Sequence, residues 1–226
     1  MKTIIFFLFL IITSFAKSQD YEIYKALAIN NINHKDFKSA LLNFTKMIAS
    51  EPENADGYFN RAFALEELKN FKGAIADYTK SIALDSTNVD FYFLRGIDFQ
   101  KLKKYNLAIQ DYTKTILLEP NNADAYYFRG KCNLGLKNYE IALPDFDLAI
   151  FYRVNHHKAY FEKANIYFKL KNYQKALYNY DKAIENDDDN SAIYFKKRGL
   201  LKIKLGQNKK GILDITKYKQ VYSKHN

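Results

Sequence analysis

The sequence predicts an all-α protein built as a stack of antiparallel helix hairpins, and three observations predict it. An aromatic residue recurs at a step of 34, as Tyr24, Tyr58, Tyr92, Tyr126 and Tyr160, and a small residue keeps that step at Ala40, Ala74, Ala108, Ala142 and Ala176. Within each period the apolar residues are spaced by three and four, the mark of an amphipathic helix. The pattern then breaks twice per period, as at Lys103-Lys104 and Pro120, which divides each unit into a helix A, a tight turn and a returning helix B. A fixed period of this length signals stacked supersecondary units rather than a closed globule. Such a stack has a groove in place of an active-site cleft, so binding is the first functional expectation.

The elements follow in chain order. Residues 1–18 read as an export signal: Lys2 is the positive start, Ile4 to Ile12 is an unbroken apolar run, and cleavage is expected after Ala16 or Ser18. The uncharged stretch from Thr3 to Ala16 is shorter than the roughly 18–20 residues that span a bilayer, and no later segment is apolar enough. The expected destination is the periplasm or the exterior. Residues 19–226 form the array, with units at 21–54, 55–88, 89–122, 123–156, 157–190 and 191–226. Helix A carries a small residue (Ala28, Ala62, Gly96, Gly130, Ala164, Gly199), which lets the helices approach closely. The turn carries Phe37, Phe71, Tyr105, Tyr139 and Tyr173, and helix B carries Phe44, Tyr78, Tyr112, Phe146 and Tyr180. Pro52 and Pro120 close their B helices, because proline disfavours helix in the residue before it. Pro144 is expected near the first turn of the fourth helix B, where a missing N–H costs least. In the last unit Asn208 and Gly211 replace the turn aromatic and the helix B alanine, and lysines crowd the helix, as a polar terminal cap requires.

A second correlation predicts specific contacts. Arg61, Arg95, Arg129 and Arg198 each precede an aspartate by 16 residues: Asp77, Asp111, Asp145 and Asp214. The two units without the arginine also lack the aspartate, with Leu27 against Asn43 and Lys163 against Asn179. In an antiparallel hairpin these positions share a height, so four structural Arg–Asp bridges are expected between helices A and B.

These residues closely resemble the tetratricopeptide repeat family over essentially the whole array, with tyrosine at the family's usual tryptophan position and arginine at a usual leucine. The resemblance implies a right-handed α-solenoid whose ligand lies in a concave groove lined by helix A. By position, the groove residues are Lys25, Phe59, Phe93, Tyr127, Phe161 and Lys196, and one turn later Ile29, Phe63, Ile97, Lys131, Asn165 and Leu200. The four aromatics either anchor an apolar peptide segment or pack against the next hairpin and expose little; the sequence leaves both open. The family's carboxylate clamp is not expected: Lys25 and Asn60 fit it, but Ile29, Asp90 and Leu94 hold the other positions.

Charge is uneven. Residues 191–226 hold ten basic side chains against Asp214 alone, whereas 19–190 are nearly balanced. The basic patch of Lys196, Lys197, Lys202, Lys204, Lys209 and Lys210 either solubilises the cap or attracts an acidic protein surface, a glycan or anionic lipid. Export argues against nucleic acid as the partner. Cys132, the sole cysteine, stands where Ala64 and Ile166 stand in sister units and reads as a packing residue that forms no internal disulfide. Adjacent His156 and His157 diverge on a helix and make a poor metal pair. The run Asp187 to Asn190 lacks the alternation of a calcium loop, and Glu66 and Glu67 point apart, a poor acid–base pair. No nucleophile has a base beside it, so no catalytic residue, cofactor or metal is expected. The resulting expectation is a non-enzymatic protein-interaction scaffold or adaptor of the cell envelope. The alternative is an envelope-surface protein acting through its basic C-terminal repeat.

Overall fold

A computed structural model describes residues 19–187 and 191–224; residues 1–18, where the export signal is expected, and Asp188 to Asn190 lie outside them. Among the described residues there are twelve helices and no strand. Helix α1 covers 19–33. It is followed by α2 (Phe37–Ser50), α3 (Ala55–Glu67), α4 (Phe71–Leu84), α5 (Val89–Lys101) and α6 (Tyr105–Leu118). Then come α7 (Ala123–Gly135), α8 (Tyr139–Tyr152), α9 (His157–Lys169), α10 (Tyr173–Glu185), α11 (Ala192–Lys204) and α12 (Asn208–Lys224). The contacts divide the chain into two compact units, one ending at Leu118 and one beginning at Glu119. In the first unit successive helices pack from α2 on α3 to α5 on α6, and in the second from α7 on α8 to α11 on α12.

The local chemistry repeats with the helices. Each A-to-B turn places one residue in the left-handed region: Lys35, Lys69, Lys103, Lys137 and Lys171 at φ 58–63°, and Gly206 at 76°. The following N–H reaches back five residues, as from Asn70 to the Leu65 carbonyl at 2.8 Å and from Lys104 to Phe99 at 2.8 Å. That bond satisfies a carbonyl left over at the end of helix A. Helix starts are capped by Asp36, Asn54, Asn70, Asn88, Asn122 and Asn172, whose side chains accept from the first turn.

The helix B aromatics Phe44, Tyr78, Tyr112, Phe146 and Tyr180 are fully buried, each worth roughly 1.5–3 kcal/mol. They lie against the small residues of helix A, and a Cβ on Gly96 would come within 2.9 Å of the Tyr112 ring. Their hydroxyls find partners on helix A: Tyr78 donates to Glu66 at 3.0 Å, Tyr112 to Gln100 at 2.9 Å and Tyr180 to Asn165 at 2.8 Å. The turn aromatics are half-buried. Pro144 corrects its expectation. It is the sixth residue of α8, beyond the first turn, and it costs the Glu140 carbonyl its helical donor. The helix continues because that side is exposed to water.

All four Arg–Asp bridges form, with Nη2 to Oδ1 distances of 2.7, 2.7, 2.7 and 2.6 Å in chain order. Each is two-pronged, and some arginines reach further. Nη1 of Arg95 donates to Thr79 at 3.0 Å and that of Arg198 to Asp181 at 2.8 Å, both on the preceding helix B. The guanidinium thus joins three helices. Two substituted positions depart from the expected pairing. Asn43 donates to Asn31 rather than meeting Leu27, and Lys163 turns back to Asp147 on the preceding α8. Asn179, left without Lys163, bonds its own helix at the Lys175 carbonyl. The terminal cap is also less polar than expected: Ile215 and Tyr218 are half-buried, but Ile212 and Leu213 are exposed among the lysines of α12.

Candidate functional site

In the first unit Lys25 is half-buried, near Glu22 and over the Tyr21 ring. Phe59 is half-buried between Tyr78 and Phe91, with centroids at 5.9 and 5.0 Å. Phe93 lies edge-on to Tyr112 at 5.9 Å. One turn later Phe63 is 40% exposed and Ile97 half-buried.

In the second unit Tyr127 is only 7% exposed, held among Phe128, Phe146 and His156. Burial raises its hydroxyl pKa well above the usual range. Lys131 lies over the Tyr127 ring. Phe161 stacks on Tyr194 at 4.4 Å. Asn165 serves the core, accepting from Tyr180 and donating to Glu162 at 3.3 Å. Of the two readings left open for the aromatic row, packing accounts for most of it: each ring sits over the helix B aromatic of its own hairpin, and Phe59 and Phe161 also meet the next hairpin.

Apolar surface remains beside that row, one turn before it at Ile193, one turn after it at Leu200 and two turns after it at Leu134 and Phe168. Leu134, Phe161, Phe168, Ile193 and Leu200 line a hollow of about 480 Å³ in the second unit, with Lys169, Lys197 and Glu162 at its rim. Phe168, Ile193 and Leu200 are 38%, 41% and 51% exposed. Leu134, Phe168 and Ile193 were not legible as site residues, although Phe168 stands two helical turns after Phe161.

The basic end is partly committed. Lys202 binds Asp214 at 3.0 Å, Lys196 lies over Tyr218 and Lys204 over Tyr173. Lys197, Lys209 and Lys210 are exposed.

Three polar clusters have other roles. Asp98 is fully buried at a helix A position held by Ala64, Cys132 and Ile166 in other hairpins. Its carboxyl faces Glu66, and Lys101 donates to both, at 2.9 Å to Glu66 and 3.1 Å to Asp98. Asp98 Oδ2 is buried without a donor. Burial and the Glu66 charge push Asp98 up to about 7, whereas hydrogen bonds from Asp98, Lys101 and Tyr78 outweigh burial and hold Glu66 low. Glu66 thus points away from Glu67 into a carboxyl pair whose partner went unnoticed. His156 and His157 serve different acids. The first caps α9 and lies 3.7 Å from Asp124, which Arg153 grips at 2.8 and 2.7 Å. The second meets Tyr194 at 3.1 Å and Asp187 at 3.4 Å. The Cys132 thiol is buried and pushed up to about 12, the state of an inert packing residue. No described helix is long and apolar enough to cross a membrane.

Tetratricopeptide repeat family models match residues 55–88, 93–153 and 157–190, together more than half of the chain. Comparison with curated protein sequences gives no match. Among solved structures, pilF of Pseudomonas aeruginosa is 20% identical with a TM-score of 0.75, over 92% of this chain and 94% of that one. A tetratricopeptide repeat protein of Parabacteroides merdae is 22% identical with a TM-score of 0.76, over 88% and 78%. YrrB, described as a TPR protein with an unusual peptide-binding site, is 24% identical with a TM-score of 0.63, over 80% and 93%. At these identities the likeness is one of fold.

Proposed function

Because the chain belongs to the tetratricopeptide repeat family and shares its all-α solenoid class of fold, we propose that it is a non-enzymatic scaffold of the cell envelope that holds a peptide segment of another protein. The observation that carries this reading is the hollow between α9 and α11. It is concave, it is lined by half-exposed aromatic and aliphatic side chains, and its rim is lysine-rich. Apolar side chains of an extended or helical segment would fill it, leaving hydrogen bonds and rim charge to set orientation. The stretch of residues 1–18 supports export, through its positive start and apolar run.

A displayed random-peptide library selected on the whole chain tests the groove. Enriched peptides should carry apolar anchors, and Phe168→Ser with Leu200→Ser should weaken them at least tenfold while far-ultraviolet circular dichroism stays unchanged. Equal binding to the folded variant removes the groove reading.

One observation favours a second reading: Lys209 and Lys210 stand exposed beside Ile212 and Leu213 on α12. That end would then hold an anionic surface. Its binding should fall steeply with added salt, and an apolar contact in the groove should not.

A further inference from the structure

The outer face of α8 differs from its counterpart in every other hairpin. At one position of helix B, facing away from the groove, the chain carries Lys46, Lys80, Lys114, Lys182 and Lys217, and in α8 alone it carries Leu148. Several of these lysines lie over tyrosine rings, as Lys46 over Tyr24 at 5.3 Å and Lys80 over Tyr58 at 5.8 Å. The rest of that face of α8 is apolar too: Ile141, Pro144 and Phe151, with Val154 just beyond the helix. In the corresponding row α10 carries Lys175, Tyr178, Lys182 and Glu185, and α6 carries Leu107, Gln110, Lys114 and Leu117, so each is interrupted by a lysine at the position of Leu148. An apolar helix face is normally covered, yet here Ile141 is 59%, Phe151 72% and Val154 73% exposed.

We propose that this face pairs with the same face of a second copy of the chain, α8 against α8 and antiparallel, about a two-fold axis. The spacing is self-complementary. Residues 141, 144, 148 and 151 are symmetric about 146, so a two-fold pairing seats Ile141 on Phe151 of the second copy and Pro144 on its Leu148. Two-fold homodimers are the commonest closed assembly, and they require such a self-matching patch. The surrounding charge agrees. Asp145 is held by Arg129, Asp147 by Lys163 and Arg153 by Asp124, so the stripe is flanked by charges already neutralised within the chain. Glu140 remains on the edge, which disfavours an anionic bilayer as the occupant.

The area sets the strength. At roughly 150–200 Å² for each fully exposed large side chain, the stripe with Tyr152 offers about 500 Å² per copy, or about 1,000 Å² in the dimer. That is the lower threshold of a specific interface, so the dimer is weak and reversible, with a dissociation constant on the order of 10–1,000 µM.

Sedimentation velocity on the full chain, from about 5 to about 500 µM, should show the weight-average coefficient rising from monomer toward dimer. Leu148→Lys restores the side chain that sister helices carry and so should fold, and it should sediment as a monomer across the range; Phe151→Ser should do the same. An equal mixture of Pro144→Cys and Leu148→Cys chains should form the mixed disulfide faster than either chain pairs with itself. A monomer at the highest concentration, association unchanged by both substitutions, or preferential self-pairing of each cysteine chain would each overturn the proposal.

Discussion

Replacing Asp98 with asparagine should stabilise the protein at neutral pH and leave it unchanged in acid. Asp98 occupies a fully buried site where other hairpins place alanine, cysteine or isoleucine, and its Oδ2 has no donor. Two carboxyls share one ammonium, that of Lys101. The cluster is neutral only while a proton remains on the pair, and that proton also lets Asp98 donate to Glu66. Folding raises Asp98 from 3.8 to about 7, through burial first, the hydrogen bond with Glu66 second and the Glu66 charge third. The sign follows from the raised value. The protonated form is the one the fold accepts, so the contribution is full below about pH 4 and is lost as the pH climbs toward 7. A displacement of this size corresponds to about 4 kcal/mol at pH 7–8, or about 8–16 °C in Tm for a chain of this length.

Asparagine keeps the shape and the donor and removes the titration. The two proteins should therefore be equally stable near pH 4. Their difference should then widen to about 4 kcal/mol between pH 4 and pH 8. Urea unfolding followed by circular dichroism at five pH values gives that difference directly, and hydrogen exchange of α5 amides localises it. Taking the difference cancels carboxylates such as Asp124, which His156 and Arg153 hold low and whose stabilisation grows in the opposite direction. A variant no more stable than the parent at pH 8, or one whose gain is the same at every pH, would falsify the argument.

The Arg95–Asp111 bridge should be costly to break and nearly neutral to replace. Burial outweighs the guanidinium at Asp111 and raises its pKa, so either single substitution should cost about 3–5 kcal/mol, whereas Arg95→Met with Asp111→Leu should come close to the parent. A double-mutant cycle on urea midpoints checks this. Lys103 sits at φ 58°, so Lys103→Gly should raise stability by about 1 kcal/mol, which thermal unfolding can resolve. The Cys132 thiol should react with an aromatic disulfide only as fast as the protein opens, because it is buried and pushed up to about 12. Rapid labelling under native conditions would contradict that.

The sequence made the fold legible because its constraints repeat. Six copies of the same contacts supply an internal control, so the 34-residue step, the small residues facing aromatics and the Arg–Asp pairs could be compared across units. The candidate site was legible only in part, for the same reason. Phe59, Phe93, Tyr127 and Phe161 occupy a repeating position, and repetition in a stack follows packing as readily as binding. The ring at that position lies over the helix B aromatic, so it is partly consumed in the core. The hollow depends instead on a position that varies along the chain: Leu134 and Phe168 line it, whereas the same position is Glu66 and Gln100 in the second and third hairpins. Asp98 and Leu148 were visible as departures from the repeat. The sequence alone did not fix whether the first was buried or the second exposed.

The arginine network connects these observations to the groove. Arg61, Arg95 and Arg129 each stand two residues after Phe59, Phe93 and Tyr127 on the same helix turn. A guanidinium that grips its own helix B through Asp and touches the preceding helix B through Thr79 or Asp181 fixes the rotation of helix A about its axis. Rotation of that helix by one residue's angle would exchange the groove row for a core row, so the polar bridge sets which apolar side chains face outward. Such pairs are poor sources of net stability when buried, and their best-attested role is to fix register. In the fifth hairpin Lys163 reaches only the preceding helix, at Asp147. At that position helix A is bridged to one neighbour instead of two, and Asn165, accepting from Tyr180, supplies the tie to its own helix B.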